Sequence, residues 1–383
     1  MKEYIKKIIK RYVIHDLQRP IVKNINLDLT KKQKHILVCY LDLNAINKEL
    51  LKSVQASNRL EAFQIIRILI KLDFVVDVCA GNDESVLDVI SIDDYDYVLG
   101  SGCIYRKFAD NSRAVCILYM TENPYGISYL RARERLDYFN LRNHTNIKKM
   151  SRTGCWYWEG DERLADYIIC LGEEKYFDNL EKPVYRLFPS ALKNENYVYS
   201  MENRNRNCFL VFGAIGLIHK GVDILIEVFR KHSEWKLFLC GGSIESELKE
   251  LKLQISPNII LCGFVEVGSE KFMNLVSVCS FVILPSCSEA STTGVLTGMR
   301  HGLLPMVCHG NGFERCSDYC LFFEDFHIEA VEERIMKAIN MSDADYIRMG
   351  QKIFEYANDE FSIENYSNNL ETILRKIFAT SEF

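Results

Sequence analysis

Three short loops in the C-terminal half collect the residue types that handle phosphates and sugars. The first runs Gly213-Ala214-Ile215-Gly216-Leu217-Ile218-His219-Lys220-Gly221, between an apolar run and an amphipathic one. Its glycines let the backbone approach a ligand closely, and Lys220 puts an ammonium near a helix start, which suits a phosphate. The loop fits neither a P-loop nor a dinucleotide fingerprint, so it also reads as a solvated turn. The second, Gly241-Gly242-Ser243, opens a helix with the same permissiveness or is a plain strand-to-helix turn. The third, Pro285-Ser286-Cys287-Ser288-Glu289-Ala290-Ser291-Thr292-Thr293-Gly294, brings a carboxylate, several hydroxyls and a fresh helix N-terminus together. Amides at that N-terminus can hold a diphosphate, with the hydroxyls beside them, and Glu289 can accept hydrogen bonds from sugar hydroxyls. The alternative is a helix capped by Ser291 or Thr292, with Glu289 only complementing its dipole.

The N-terminal half offers fewer such groups. Tyr119-Met120-Thr121-Glu122-Asn123-Pro124 places Glu122 at a strand end, as a proton acceptor or as the cap of a turn before proline. Arg131, Arg133 and Arg135 face an anionic acceptor or form a solvated helix face. Asp94-Tyr95-Asp96 imitates a metal-binding D-x-D but precedes a strand and reads as a surface turn, while His301 and His309 read as a helix C-terminal residue and a loop residue. Cys316, Cys320 and His309 form only a loose cluster, no C-x-x-C pair occurs, and no metal site is expected.

The elements that must position these groups alternate along the chain. Apolar β-branched runs at His35–Leu41, Phe74–Cys79, Tyr97–Gly100, Ala114–Met120, Ile168–Gly172 and Val184–Phe188 read as strands, with helices at Leu60–Leu72 and Ile127–Leu141. The Asn-rich stretch Lys193–Asn207 reads as an interdomain linker. A second series then sets strands at Cys208–Gly213, Trp235–Gly241, Asn258–Gly263, Phe281–Pro285 and Leu304–Cys308 between helices, and a helical tail runs from His327 through Phe378. Such alternation implies an α/β protein with mainly parallel sheets, and 383 residues suit two domains. The expected division is a basic amphipathic segment 1–33, a first Rossmann-like domain 34–195, a second 206–360, and a closing helix 361–383. In open parallel sheets ligands bind beyond the C-terminal strand ends, where these loops fall.

Composition removes several function classes. A net charge of −5 argues against general nucleic-acid binding, and no apolar run reaches the ~18 residues that span a bilayer. The fourteen cysteines sit mostly in apolar runs as small buried hydrophobes, and the N-terminus lacks a secretory pattern, so a reducing cytoplasm is expected. Lys2, Lys6, Lys7, Lys10, Arg11, Arg19 and Lys23 crowd the start, with Tyr4, Ile5, Ile8, Ile9 and Tyr12 at helical spacing. That segment, residues 2–23, lies on an anionic membrane surface or packs on the protein with a solvated basic face.

Gly213, Lys220 and Gly221, followed by Pro285, Ser286, Glu289, Met299, Gly302 and Pro305, resemble the retaining glycosyltransferases of family 4, which have the GT-B fold. The resemblance covers about Cys208 to Asn340; the N-terminal half shares only the general pattern. It implies two Rossmann-like domains facing a cleft, with the last helices crossing back to the first domain. It implies that Lys220 neutralises a donor diphosphate, that Glu289 contacts the donor sugar, and that amides near Thr292 and Thr293 cradle phosphate. It places Gly213, Gly241, Gly242, Ser291 and Thr297 in the donor site and Gly263–Val265 near the base. No cofactor or divalent metal is implied, because lysine and the helix dipole replace it. Two positions depart from the family: Ala214 stands where an arginine partners the lysine, and Thr297 where a second glutamate holds the ribose. The family's glycine-rich first loop is also replaced, by Asp42-Leu43-Asn44-Ala45.

The expected activity is transfer of a sugar from a nucleoside diphosphate to a glycan or lipid-linked acceptor, in cell-surface polysaccharide biosynthesis at the inner membrane face. The alternatives are a catalytically silent GT-B-like binding protein and a nucleotide-sugar epimerase or hydrolase.

Overall fold

The computed structural model describes residues 20–41, 57–111, 113–150, 157–213 and 216–381. The basic run through Arg19, the Asp42–Ala45 loop and Ala214 lie outside them.

The first domain is a seven-stranded sheet of β1 (Ile21–Ile25), β2 (His35–Tyr40), β3 (Val75–Ala80), β4 (Tyr97–Gly100), β5 (Val115–Met120), β6 (Tyr167–Cys170) and β7 (Val184–Arg186), in the order β1-β3-β2-β4-β5-β6-β7. All pairings are parallel except that of β1 with β3. β1 corrects the expected division, in which residues 1–33 stood apart from the first domain. Ile21 and Val22 pair with Cys79 and Val78, and Ile21, Val22 and Ile25 are buried, so the end of that segment is an edge strand of the sheet. Lys23 and Asn24 concealed a short apolar strand. Helix α1 (Ser57–Lys71) covers one face and α2 (Cys103–Asn111), absent from the sequence reading, the other. Next come α3 (Tyr125–Asn143) and the single turn α4 (Asp161–Leu164).

The second domain is a six-stranded, wholly parallel sheet. Its strands are β8 (Asn205–Phe212), β9 (Lys236–Cys240), β10 (Ile259–Gly263), β11 (Cys279–Leu284), β12 (Leu304–Cys308) and β13 (Leu321–Phe323), ordered β10-β9-β8-β11-β12-β13. Five helices alternate with them or follow: α5 (Leu217–Lys220), α6 (Val222–Lys231), α7 (Ile244–Glu250), α8 (Glu270–Val278) and α9 (Thr293–Arg300). Strand order reverses between β8 and β11, so the loops after these two strands border the crevice where open parallel sheets bind ligands. These are the loops of Lys220 and Glu289.

Three closing helices, α10 (Ile328–Ile339), α11 (Asp343–Glu360) and α12 (Ile363–Thr380), complete the fold. α12 returns to the first domain. Its Tyr366, Leu370, Leu374 and Ile377 enter the core formed by α1 and the first sheet, and Tyr366 Oη lies 2.9 Å from Tyr119 Oη. The expected linker is tightly held rather than loose. Tyr197 is buried and donates to the His301 carbonyl at 2.9 Å, and the strand β8 already begins at Asn205. The asparagines around it concealed these aromatic anchors.

Helix α3 joins the domains. Ala132 and Phe139 pack with Ile218 and Cys287 across the interface. Arg135 is wholly buried, donating to the Pro285 carbonyl at 2.7 Å and lying 3.5 Å from that of Ile218. Arg142 pairs with Asp223 and Glu227. Arg131 donates to the Gly310 carbonyl at 3.1 Å. Of the three arginines read as an acceptor contact or a solvated face, only Arg133 is solvated, beside Asp137. Arg131 and Arg135 instead satisfy loop carbonyls of the second domain, a use for which planar guanidinium groups are suited.

Candidate functional site

Where the C-terminal strand ends of the two sheets face each other lies a cleft of about 540 Å³. Tyr40, Glu61, Thr121 and Glu122 line it from the first domain, and Phe212, Gly213, Lys220, Gly241, Glu289 and Thr297 from the second.

The first loop ends in the single turn α5, and its glycines do steric work. Gly221 has φ +70°, and a Cβ there would lie 2.4 Å from the Pro285 carbonyl oxygen and 2.6 Å from Arg135. Only glycine lets this loop sit flush against the third loop. Lys220 is thereby brought to Glu289, and the two buried side chains form an ion pair. His219 Nε2 is 2.8 Å from the Ser288 carbonyl and 3.2 Å from Glu289 Oε1, and its Nδ1 is 3.3 Å from Cys287 Sγ. Burial pulls the His219 pKa down, but Cys287 and Glu289 outweigh it and hold it up at about 9. Glu247 of α7 accepts from the amides of Gly216 and Leu217 at 3.0 and 2.8 Å, so the N-terminal end of α5 is already occupied by a carboxylate.

The third loop is braced from behind. Asn311 accepts from the Glu289 amide at 3.0 Å and donates to the Ser286 carbonyl at 2.9 Å. Ser291 sits at φ +53° and turns its hydroxyl away from the helix, to within 3.0 Å of the Leu171 carbonyl and 2.7 Å of that of Gly312, while accepting from Arg186 at 2.8 Å. Neither Ser291 nor Thr292 caps α9: Thr292 occupies the cap position without a side-chain hydrogen bond. The first amides of α9 therefore open on the cleft, the arrangement in which a helix N-terminus receives an anion. Gly294 is required there, since a Cβ would come within 2.2 Å of the Phe212 carbonyl oxygen.

Of the residues singled out from the sequence, Gly213, Lys220, Gly241, Val265, Glu289, Ser291, Thr292, Thr293, Thr297 and Glu122 all line this one cleft. Gly242 and Gly263 do not. Gly263, at φ +68°, turns the chain at the end of β10, and its carbonyl accepts from the Gly241 amide, so it serves the backbone beside the cleft. Asp94 and Asp96 lie at the opposite, N-terminal end of the first sheet, where Asp96 accepts from the His35 amide at 2.8 Å. His301 is buried, its Nδ1 2.7 Å from the Thr297 carbonyl, and burial lowers its pKa to about 4. His309 stacks on Phe322, and the Cys316 and Cys320 sulfurs are 3.8 Å apart.

Glu61 escaped the sequence reading. It lies in α1 between apolar neighbours, lines the cleft, and accepts from the Ser190 amide at 2.7 Å and hydroxyl at 3.1 Å. Burial raises its pKa to about 7 despite the Ser190 hydrogen bonds. A carboxylate on the apolar stripe of an amphipathic helix is the signal that would have found it.

With the geometry in place, sequence comparison adds the domain's kinship: residues 206–340 match the family Glycosyl transferases group 1. This segment is similar to a glycosyl transferases group 1 domain. No curated protein matches the chain. Sucrose-phosphate synthase from Thermosynechococcus elongatus shares 12% identity at a TM-score of 0.61, over 91% of this chain and 100% of its own. HepE from Anabaena, solved with UDP and glucose, shares 11% at 0.54, over 90% and 100%. A glycosyltransferase from Rickettsia africae shares 12% at 0.54, over 91% and 99%. The two facing sheets, with α12 returning to the first domain, are the GT-B fold. The matched segment contains Lys220, Glu289 and α9, and it extends through β12 and α10, beyond the site itself. No helix among the described residues is long and apolar enough to cross a membrane.

Proposed function

We propose that the protein is a retaining hexosyltransferase, moving a sugar from a nucleoside diphosphate to a glycan or lipid-linked acceptor in cell-surface polysaccharide assembly. One observation carries the reading: the Lys220–Glu289 pair and the uncapped N-terminus of α9 open on the same side of the interdomain cleft, with Glu122 on the other. In this reading the diphosphate rests on the amides of Thr293 and Gly294, and Lys220 turns to it as negative charge develops on the leaving group. Glu289, released from the lysine, accepts hydrogen bonds from the sugar hydroxyls. The acceptor enters from the first domain, with Glu122 in position to take a proton. Val265 and the turn at Gly241–Gly242 and Gly263 border the base, and Thr297 the ribose. Lysine and helix dipole do the work of a divalent metal, so none is required. The complex of HepE with UDP and glucose supports a nucleotide-sugar donor. The basic segment through Lys23 suits the cytoplasmic face of an anionic membrane.

A panel of UDP-, GDP-, ADP- and dTDP-sugars in thermal unfolding tests this directly. Stabilisation by one nucleotide class is expected, since a ligand at 100 times its Kd adds roughly 2.7 kcal/mol. Two features favour a second reading, a silent GT-B-like binding protein: Glu247 already occupies the amides of Gly216 and Leu217, and Thr297 lacks a carboxylate's charge. No stabilisation by any member of the panel would establish that reading instead. Conversion of the donor without an acceptor would indicate an epimerase or hydrolase.

A further inference from the structure

Behind the third loop, away from the cleft, lies a second cavity of about 230 Å³. Its wall includes Cys287, Ser286, Arg131 and Arg135, with Glu134, Glu324 and Asp325 also lining it. Ser286 Oγ and Arg135 Nε are buried and have no hydrogen-bond partner among the described residues. Two donors left without partners beside a sulfur are the equipment for holding a small oxygen ligand.

The sulfur is not isolated. His219 Nε2 faces two acceptors, the Ser288 carbonyl at 2.8 Å and Glu289 at 3.2 Å, so that nitrogen carries a proton. The Nδ1 on the far side of the ring is then the partner of Cys287 Sγ at 3.3 Å, and the imidazole is placed to take the thiol proton. The Cys287 amide donates to the His219 carbonyl at 2.9 Å, which fixes the two residues against each other. Burial works against a charged sulfur, but the His219 and Arg135 charges prevail and hold the thiol below its ordinary range. A cysteine, a histidine and a carboxylate in hydrogen-bonded series are the arrangement that activates a nucleophile.

We propose that Cys287 is a site of reversible oxidation, its sulfur attacking a hydroperoxide admitted to the cavity that it shares with Ser286 and Arg135. Three acids on the wall, Glu134, Glu324 and Asp325, outnumber the two arginines, which favours a small neutral oxidant over an anion. Sulfur attacks one peroxide oxygen, an S–O bond forms and the O–O bond breaks. The departing hydroxide or alkoxide takes the proton that His219 received from the thiol. Sulfur gives up two electrons, the peroxide gains them, and a sulfenic acid with water or an alcohol remains. His219 then loses the anion at its Nδ1 while its Nε2 still touches Glu289, so oxidation reaches the Lys220–Glu289 pair through one ring.

The experiment treats the full chain with dilute hydrogen peroxide, traps sulfenic acid with dimedone and maps the adduct by mass spectrometry. Cys103 and Cys308 are more exposed than Cys287, so accessibility alone would label them first. Activation predicts that Cys287 is labelled roughly tenfold faster than either. His219→Gln should remove most of that advantage, and Cys308→Ala should leave it intact. Labelling of Cys103 or Cys308 ahead of Cys287 in the unaltered protein overturns the proposal, whether or not the histidine variant folds. No substrate enters this assay, so its failure is distinguishable from failure of the transferase reading.

Discussion

On the C-terminal side of the cleft, Lys220, Glu289, Thr292 and Thr297 come from two loops and one helix that follow neighbouring strands of one sheet. On the N-terminal side, Tyr40, Glu61 and Glu122 come from a strand, a helix and a loop of different parts of the chain. In the first wall it is the loop backbone that is pinned: the Asn311 side chain holds the Glu289 amide, the Glu247 carboxylate holds the Gly216 amide, and Gly221 lies against the Pro285 carbonyl. The second is held by bonds between side chains, such as the Ser190 hydroxyl on Glu61 and Tyr119 on Tyr366. A wall set by backbone can be built for a constant group such as a diphosphate. A wall set by side chains can change with the acceptor while the fold persists.

The sharpest way to break this comparison is to remove the charge pair from the first wall. Because Glu289 also faces His219 at 3.2 Å, Lys220→Ala and Glu289→Ala each unbalance a buried charge cluster, which costs up to about 3–5 kcal/mol of stability, whereas the double variant removes both charges together. Transfer should fall at least ~10²-fold in all three, the scale of losing a preorganised electrostatic contact. The double variant should unfold closer to the parent temperature than either single one. Radiolabelled sugar transfer and calorimetry read the two effects separately, and turnover at the parent rate in the double variant refutes the assignment of this wall to the donor.

Next in size is the strut between the walls. Arg135→Met removes donors to Pro285 and Ile218 and leaves both carbonyls without a guanidinium partner. A charge-assisted hydrogen bond to a buried acceptor contributes about 1.5–3 kcal/mol, so a loss of ~2–4 kcal/mol is expected in urea unfolding. Because the same carbonyls belong to the two loops proposed to hold the donor, nucleotide affinity should weaken with it. Arg133→Met, on the solvated side of α3, should change neither.

Glu61 tests the second wall. Its folded pKa of about 7 exceeds the ordinary carboxylate value, so the folded chain keeps a proton that the unfolded chain releases. The stability linked to it is full below about pH 4.5 and declines as pH rises through about 7. Glu61→Gln should flatten that decline, gaining ~1–3 kcal/mol over the parent at pH 8 and little at pH 5. Glu173, also raised to about 7 by burial and its contact with Glu314, leaves a residual slope in both proteins. Equal urea midpoints for the two proteins at pH 8 would show that Glu61 ionises without cost.

The contrast also explains what could be read from the sequence. Strand–helix alternation marks the sheets because β-branched runs and amphipathic spacing are local properties, and the residues proposed to bind the donor follow strands in order. Glu61, Arg135 and Cys287 take their meaning from partners far along the chain: Ser190, the Pro285 carbonyl and His219. Arg135 shared its spacing with the solvated Arg133, and nothing local separates an arginine that satisfies buried carbonyls from one that faces water. The edge strand Ile21–Ile25 was hidden for the converse reason, since its polar residues matched the charged segment before it while its register with β3 made it part of the sheet.

The smallest expected effect bears on how the proposed donor wall departs from the family that it resembles. Thr297 lies one helical turn into α9, buried at the cleft edge, where the resemblance places a ribose-holding glutamate. A neutral hydroxyl contributes about 0.5–1.5 kcal/mol to a hydrogen bond and a carboxylate about 1.5–3, so Thr297→Glu should tighten nucleotide binding by up to about tenfold. The gain is bounded, because the longer side chain must find room beside Phe212 and Val265, and overpacking costs ~1–3 kcal/mol. Titration calorimetry with UDP on the parent and the variant separates the outcomes. Tighter binding with unchanged thermal stability means that the ribose pocket retains its shape and lacks only a charge. Weaker binding with a stable fold means that the wall has been rebuilt around threonine for a different donor, and the backbone-set half of the cleft is then the half that diverged.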